Sequence, residues 1–135
     1  MIATELSCEY IESQAIFKIE LEGPIDENRV IAMWEYIFRH KLVPPETKRF
    51  LFDNRFGVYV DLADQPSKLL KLYKKNLAFF KGSRIAVVTR CPQVIVQVLH
   101  MQREFQQAVH ERFQTLDAAT AWLMSDKELS YAIYD

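Results

Sequence analysis

Glycine is scarce in this sequence: Gly23, Gly57 and Gly82 are the only three among 135 residues. Loops that cradle phosphate bring several backbone N–H groups against the anion, which takes clustered glycines. The wide spacing excludes nucleotide binding by a Walker-type or dinucleotide-type loop. Cysteine is equally sparse, at two residues, Cys8 and Cys91, with no CxxC pair. That excludes a disulfide framework. A reduced, cytoplasmic protein is expected, with a single Cys8–Cys91 bridge as the alternative. Neither sign of charge dominates: 17 basic against 18 acidic residues leave a net charge of −1. No overall positive field draws the chain to nucleic acid, so an anionic partner needs a local patch. No apolar run approaches the roughly 20 residues that span a bilayer. Met1-Ile2-Ala3-Thr4-Glu5 holds neither a basic leader nor a signal-peptide apolar run.

What is present is a chain 50% apolar and 26% charged, of the length and composition of one folded domain. Residues 4–12 and 15–22 read as strands, Phe17, Ile19 and Leu21 alternating with Lys18, Glu20 and Glu22. The short break at Ser13-Gln14 makes them an antiparallel hairpin. Asp26 is placed to cap a helix to about His40, with Val30, Trp34, Ile37 and Phe38 as its apolar stripe. Arg49–Asp53 reads as a strand buried on both faces. Phe56, Val58, Val60 and Leu62 alternate as a short strand or an extended loop. Pro66 opens a helix to about Phe80, and Arg84–Thr89 is the clearest buried strand. A third helix starts at Pro92, a strand covers about Ala108–Phe113, and Thr115 caps a final helix.

Strand and helix therefore alternate, which predicts an α/β domain. Its mixed sheet has about five strands, antiparallel at the N-terminal hairpin and otherwise mainly parallel, with about four helices. One domain covers residues 1–135, its core about 4–124, with 125–135 as a C-terminal extension.

The strand Arg84–Thr89 runs into Cys91-Pro92 and a helix. A Val/Phe strand precedes Phe113-Gln114-Thr115-Leu116-Asp117-Ala118-Ala119, and the last helix reads Ala121-Trp122-Leu123. In this order, after an N-terminal hairpin, the motifs resemble the SpoIIAA-like family of STAS-type domains over roughly residues 4–124. The resemblance implies a four- or five-stranded sheet with helices, a looser kinship with CRAL-TRIO lipid-binding domains, and a bacterial source. Regulators of the STAS type carry a phosphorylatable serine after the third strand. Here that region reads Asp53-Asn54-Arg55-Phe56-Gly57, with no serine before Ser67, so the switch is not carried over.

Candidate chemistry is thin. His100 and Glu104 stand one helical turn apart without the HExxH order, and read as an exposed pair rather than a metal site. His40 complements a helix dipole, and His110 reads as an outward-facing strand residue. Asp53, Asp61 and Asp64 gather near a strand exit, where open α/β sheets collect ligands, though turn and cap duties account for them. Cys91, as N-cap of the third helix and beside Arg90, is the one possible reactive thiol. A small structural cysteine is the plainer reading. No metal, cofactor or catalytic residue is expected.

The segment from about Ser67 to Lys81 is the most informative. On one continuous helix Leu69, Leu70, Tyr73, Leu77 and Phe80 face the sheet. Leu72 and Phe79 fall outside that stripe, beside Lys68 and Lys75. Framed by lysines, they suggest a subunit interface, a docking surface for a protein partner, or shallow contact with an anionic membrane. A wider stripe that buries both is the competing reading. The sequence thus points to a non-enzymatic interaction or regulatory module, expected to form a homodimer, or else to a binding protein for a small apolar or lipid-like ligand.

Overall fold

Alternation of Phe17 and Ile19 with Lys18 and Glu20 produces the expected hairpin, β1 (Ser7–Ile11) against β2 (Ile16–Glu20). The computed structural model describes residues 7–62 and 65–125. After β2 come the short β3 (Gly23–Ile25), the helix α1 (Glu27–Arg39) and the strand β4 (Arg49–Asp53). The chain continues through β5 (Gly57–Tyr59), α2 (Ser67–Lys75), α3 (Leu77–Phe80) and β6 (Arg84–Val88). It closes with α4 (Val94–Glu104), β7 (Val109–Phe113) and α5 (Leu116–Met124). The calls on residues 4–6, on Asp64 and on most of the C-terminal extension lie outside the described residues.

The main sheet has five strands in the order β1-β2-β4-β6-β7, antiparallel only at β1–β2. This is the α/β mixed sheet that the pattern predicts. Its register places Phe17, Phe50, Ile85 and His110 side by side in one row. That row faces α1 to α4 and joins Trp34, Tyr73, Phe80, Met101 and Phe105 in the larger core. The other face packs Ile16, Leu51, Ala86 and Val88 under Ala119 and Leu123 of α5.

Local signals explain the helix ends. The Asp26 carboxylate accepts from the Arg29 N–H at 2.8 Å, and Thr115 Oγ1 accepts from the Ala118 N–H at 3.2 Å. Each satisfies a donor that a helix start leaves without a partner. Arg84 donates to the Trp122 carbonyl at 2.9 Å and the Ser125 carbonyl at 2.6 Å. A cation thus complements the carbonyl end of α5.

Two features depart from the pattern. Gly23-Pro24-Ile25 does not simply end β2. It pairs in parallel with Gly57-Val58-Tyr59, making a second, two-stranded sheet. Gly57 permits that pairing, because a Cβ there would overlap the Ile25 side chain. The expected single helix from Ser67 to Phe80 is instead two, broken at Asn76, so the described residues form five helices rather than about four. The Asn76 amide donates to the Leu72 carbonyl at 2.8 Å and closes α2 early. Trp34 then sits among Phe38, Phe50, Phe52, Tyr73, Phe79 and Phe80, at ring separations from 5.0 to 6.5 Å.

Candidate ligand-binding cleft

Two helices and the sheet leave a space between them. On α2 and its lead-in, Pro66, Leu69 and Tyr73 recur at helical spacing, and on α4 so do Val94, Gln97 and Met101. These stripes converge over Phe52, Ile85 and Val87 of the sheet, enclosing a cleft of about 90 Å³. Among the described residues no lysine, arginine, aspartate or glutamate lines it. It reaches the carboxyl end of β4, the position where open α/β sheets take ligands. An adjoining hollow of about 40 Å³ shares Val30, Tyr59, Pro66, Leu69 and Gln97 with the cleft. Asp26, Glu27 and Asp61 line that hollow.

Three polar side chains mark the ends of the cleft. At one end, Asn54 Nδ2 donates to the Tyr59 hydroxyl at 2.7 Å. Asn54 Oδ1 is buried with no partner among the described residues. Burial pushes the Tyr59 hydroxyl pKa up, against the pull of its hydrogen bonds with Asn54 and Thr89. At the other end lies His110, 4% exposed, with neither ring nitrogen hydrogen-bonded among the described residues. Burial without a partner disfavours the imidazolium and pushes the His110 pKa down to about 4. The His110 backbone N–H is held by Gln102 Oε1 at 2.9 Å. The two ends are well separated. Asn54 follows Asp53, which pairs with Val88, whereas His110 pairs with Ile85. That offset is roughly 10 Å along the strands, at about 3.3 Å per residue.

The structure redistributes the residues singled out in the sequence. Leu72 is buried, at 9% exposure, against the larger core, and Phe79 is half-buried. Phe79 packs edge-on to Phe38 and Trp34, with ring centroids 4.9 and 6.0 Å away. The expected outward pair is therefore an inward one: Leu72 is buried together with Tyr73 because the apolar stripe of α2 is wider than expected, and Phe79 turns inward because the break at Asn76 changes the helical phase after Lys75. Leu77, expected inside, is 41% exposed for the same reason. Lys68 and Lys75 are exposed, and with Lys71 they rim an open groove between α1 and α2 that Leu72 floors. Lys68 Nζ reaches Asn28 Oδ1 at 3.4 Å.

Cys91 is half-buried and free, as is Cys8, so no bridge joins them. It is not the N-cap of α4. Gln93 holds that position, two residues on, and Cys91 Sγ lies 3.4 Å from Gln93 Oε1. Asp53 faces away from the cleft and pairs with Arg55 through two hydrogen bonds, of 2.8 and 2.9 Å. Burial pushes the Asp53 carboxyl up, but Arg55 and, more distantly, Lys18 outweigh it and hold the pKa below the usual carboxylate range. Asp61 is exposed, and Asp64 lies outside the described residues. Among the described residues no three His, Cys, Asp or Glu side chains converge on a point. Nor is any described helix long and apolar enough to cross a membrane.

The sequence reading missed Asn54 and Tyr59, and it turned His110 the wrong way. His110 closes the inward row begun by Phe17, and edge-strand alternation does not show which phase α4 covers. Asn54 had a signal, a polar amide directly after a fully buried strand, where a partner is obligatory.

No family model and no curated protein matches the chain. Among solved structures, it is similar to an uncharacterised protein of the DUF3478 family from Shewanella loihica PV-4, described as having a SpoIIAA-like fold. The match has a TM-score of 0.56 at 19% identity and covers 88% of this chain and 92% of that one.

Proposed function

From a SpoIIAA-like fold, we propose that this chain binds a small apolar molecule in the cleft between α2, α4 and the sheet, without catalysis. One observation carries the reading: an apolar cleft of about 90 Å³ with, among the described residues, no charged lining and an unpartnered polar group at either end. Ligand sites are concave, mostly apolar and furnished with a few placed polar groups. A dry apolar cavity of about 150 Å³ takes benzene or xenon. Among the described residues lining the cleft there is no cysteine, serine, threonine or lysine to serve as a nucleophile beside His110.

Methyl-resolved NMR of the protein under xenon pressure tests this. Xenon is expected to shift the Val94, Val98 and Met101 methyls, which line the cleft, and to spare Leu123 beneath α5. Unchanged cleft methyls at saturating xenon would overturn the reading.

A second reading, an interaction or regulatory module that self-associates, is favoured by the outer face of α4. Ile95, Val96 and Leu99 there are 40%, 45% and 56% exposed, next to the edge strand β7. Light scattering on the wild type and on Ile95→Glu with Leu99→Glu tests it. A dimer that becomes a monomer supports self-association through this face, and a monomeric wild type removes it.

A further inference from the structure

The end of the cleft occupied by His110 is the one that discriminates between ligands. Tyr73, Met101 and Ile85 surround the approach to His110, and all three are at most 3% exposed. The imidazole lies against the Tyr73 ring at 5.3 Å between centroids, which fixes its plane. Its two nitrogens, one a donor and one an acceptor in the neutral ring, have no protein partner among the described residues. Buried polar groups are normally satisfied, and the rare exceptions call for a ligand, a water or a functional reason.

We propose that the ligand enters head-first and presents a neutral hydroxyl to His110, its apolar body filling the rest of the cleft. This rests on the reading of the cleft as a binding site. A hydroxyl both donates and accepts, so it satisfies whichever imidazole nitrogen faces it and does not depend on the tautomer. A carboxylate or an ammonium group does not fit, because the described lining residues offer no opposite charge and an unpaired buried ion is costly. The carboxylates of Asp26, Glu27 and Asp61 in the adjoining hollow further disfavour an anion nearby. Asn54 and Tyr59, at the far end, leave the same neutrality in place there.

Four probes with one carbon skeleton separate the possibilities: toluene, benzyl alcohol, benzoate and benzylamine, each titrated into the full-length protein by calorimetry at pH 7. Benzyl alcohol is expected to bind at least about tenfold more tightly than toluene, the gain from satisfying one buried polar group. Benzoate and benzylamine are expected to bind more weakly than toluene. In His110→Phe the alcohol preference over toluene disappears. The ring-nitrogen NMR shifts of His110 in the wild type move with benzyl alcohol and not with toluene, a readout that does not depend on the variant folding. Equal affinity for toluene and benzyl alcohol, or a preference that survives in His110→Phe, would overturn the head-group assignment and leave the cleft as a binding site. Failure of both neutral probes to bind would remove the binding site itself, and the head group with it.

Discussion

The imidazole of His110 stacks on the ring of Tyr73, centroids 5.3 Å apart and planes 21° from parallel, with both side chains buried. The pair joins the edge strand β7 to α2 across the cleft, two elements more than thirty residues apart in the chain. It also shapes the response of the fold to pH.

The His110 pKa is about 4 in the folded chain, against an ordinary 6.5. Between those values the unfolded chain binds the additional proton, so stability rises with pH. The contribution is fully present above pH 6.5 and is lost as pH falls through 4. Its size is at most about 3 kcal/mol. Urea unfolding of wild type and His110→Phe from pH 7.5 to pH 4 measures it. The variant should show a flatter profile, because the apolar ring has no proton to bind and removes two unsatisfied atoms. Parallel profiles would contradict the burial of His110.

Arg55 and Asp53 form the second pH-sensitive pair. The Asp53 pKa is lowered, so its contribution is present above its unfolded value of 3.8 and is lost as pH falls through the folded one. Arg55→Met leaves a buried carboxylate without its partner and should cost about 3 kcal/mol at pH 7. The variant should also lose less stability than wild type between pH 4 and pH 2. Chemical denaturation at three pH values checks both parts.

Burial of Leu72 before the break at Asn76 and exposure of Leu77 after it predict opposite outcomes for the two leucines. Leu72→Glu combined with Phe79→Glu puts two carboxylates into the larger core and should abolish the folded state, seen as loss of the cooperative thermal transition. Leu77→Glu, on an exposed position, should change stability by no more than about 0.5 kcal/mol. A folded double variant would restore the continuous helix and its lysine-framed apolar face.

Gly57 and Ile25 lie in contact across the small sheet. Gly57→Ala should destabilise by about 1–3 kcal/mol through overpacking. Ile25→Val should recover part of that loss in the double variant, giving a coupling energy above about 0.5 kcal/mol. Additive effects would show that the two positions do not touch.

Features set by local periodicity and capping were legible in the residues. The β1–β2 hairpin, the strands at Arg49–Asp53 and Arg84–Val88, and the caps at Asp26 and Thr115 all follow from neighbours within one turn or one strand. The parallel order of the sheet follows from strand–helix alternation. The phase of each element against its neighbours was not legible in this way. A continuous wheel from Ser67 placed Phe79 outward, and the amide of Asn76 reset the count to bury it.

By itself, the sequence determined a single α/β layer arrangement and excluded phosphate loops and disulfide frameworks, because those depend on composition and short-range spacing. Only the tertiary structure decided where a ligand fits. The cleft takes residues from β4, β5, α2, β6, α4 and β7, and its polar ends depend on a strand register that turns His110 inward. Register is a relation between distant segments, set by which rows of side chains interlock once the sheet and helices close together. No local spacing in the chain encodes it.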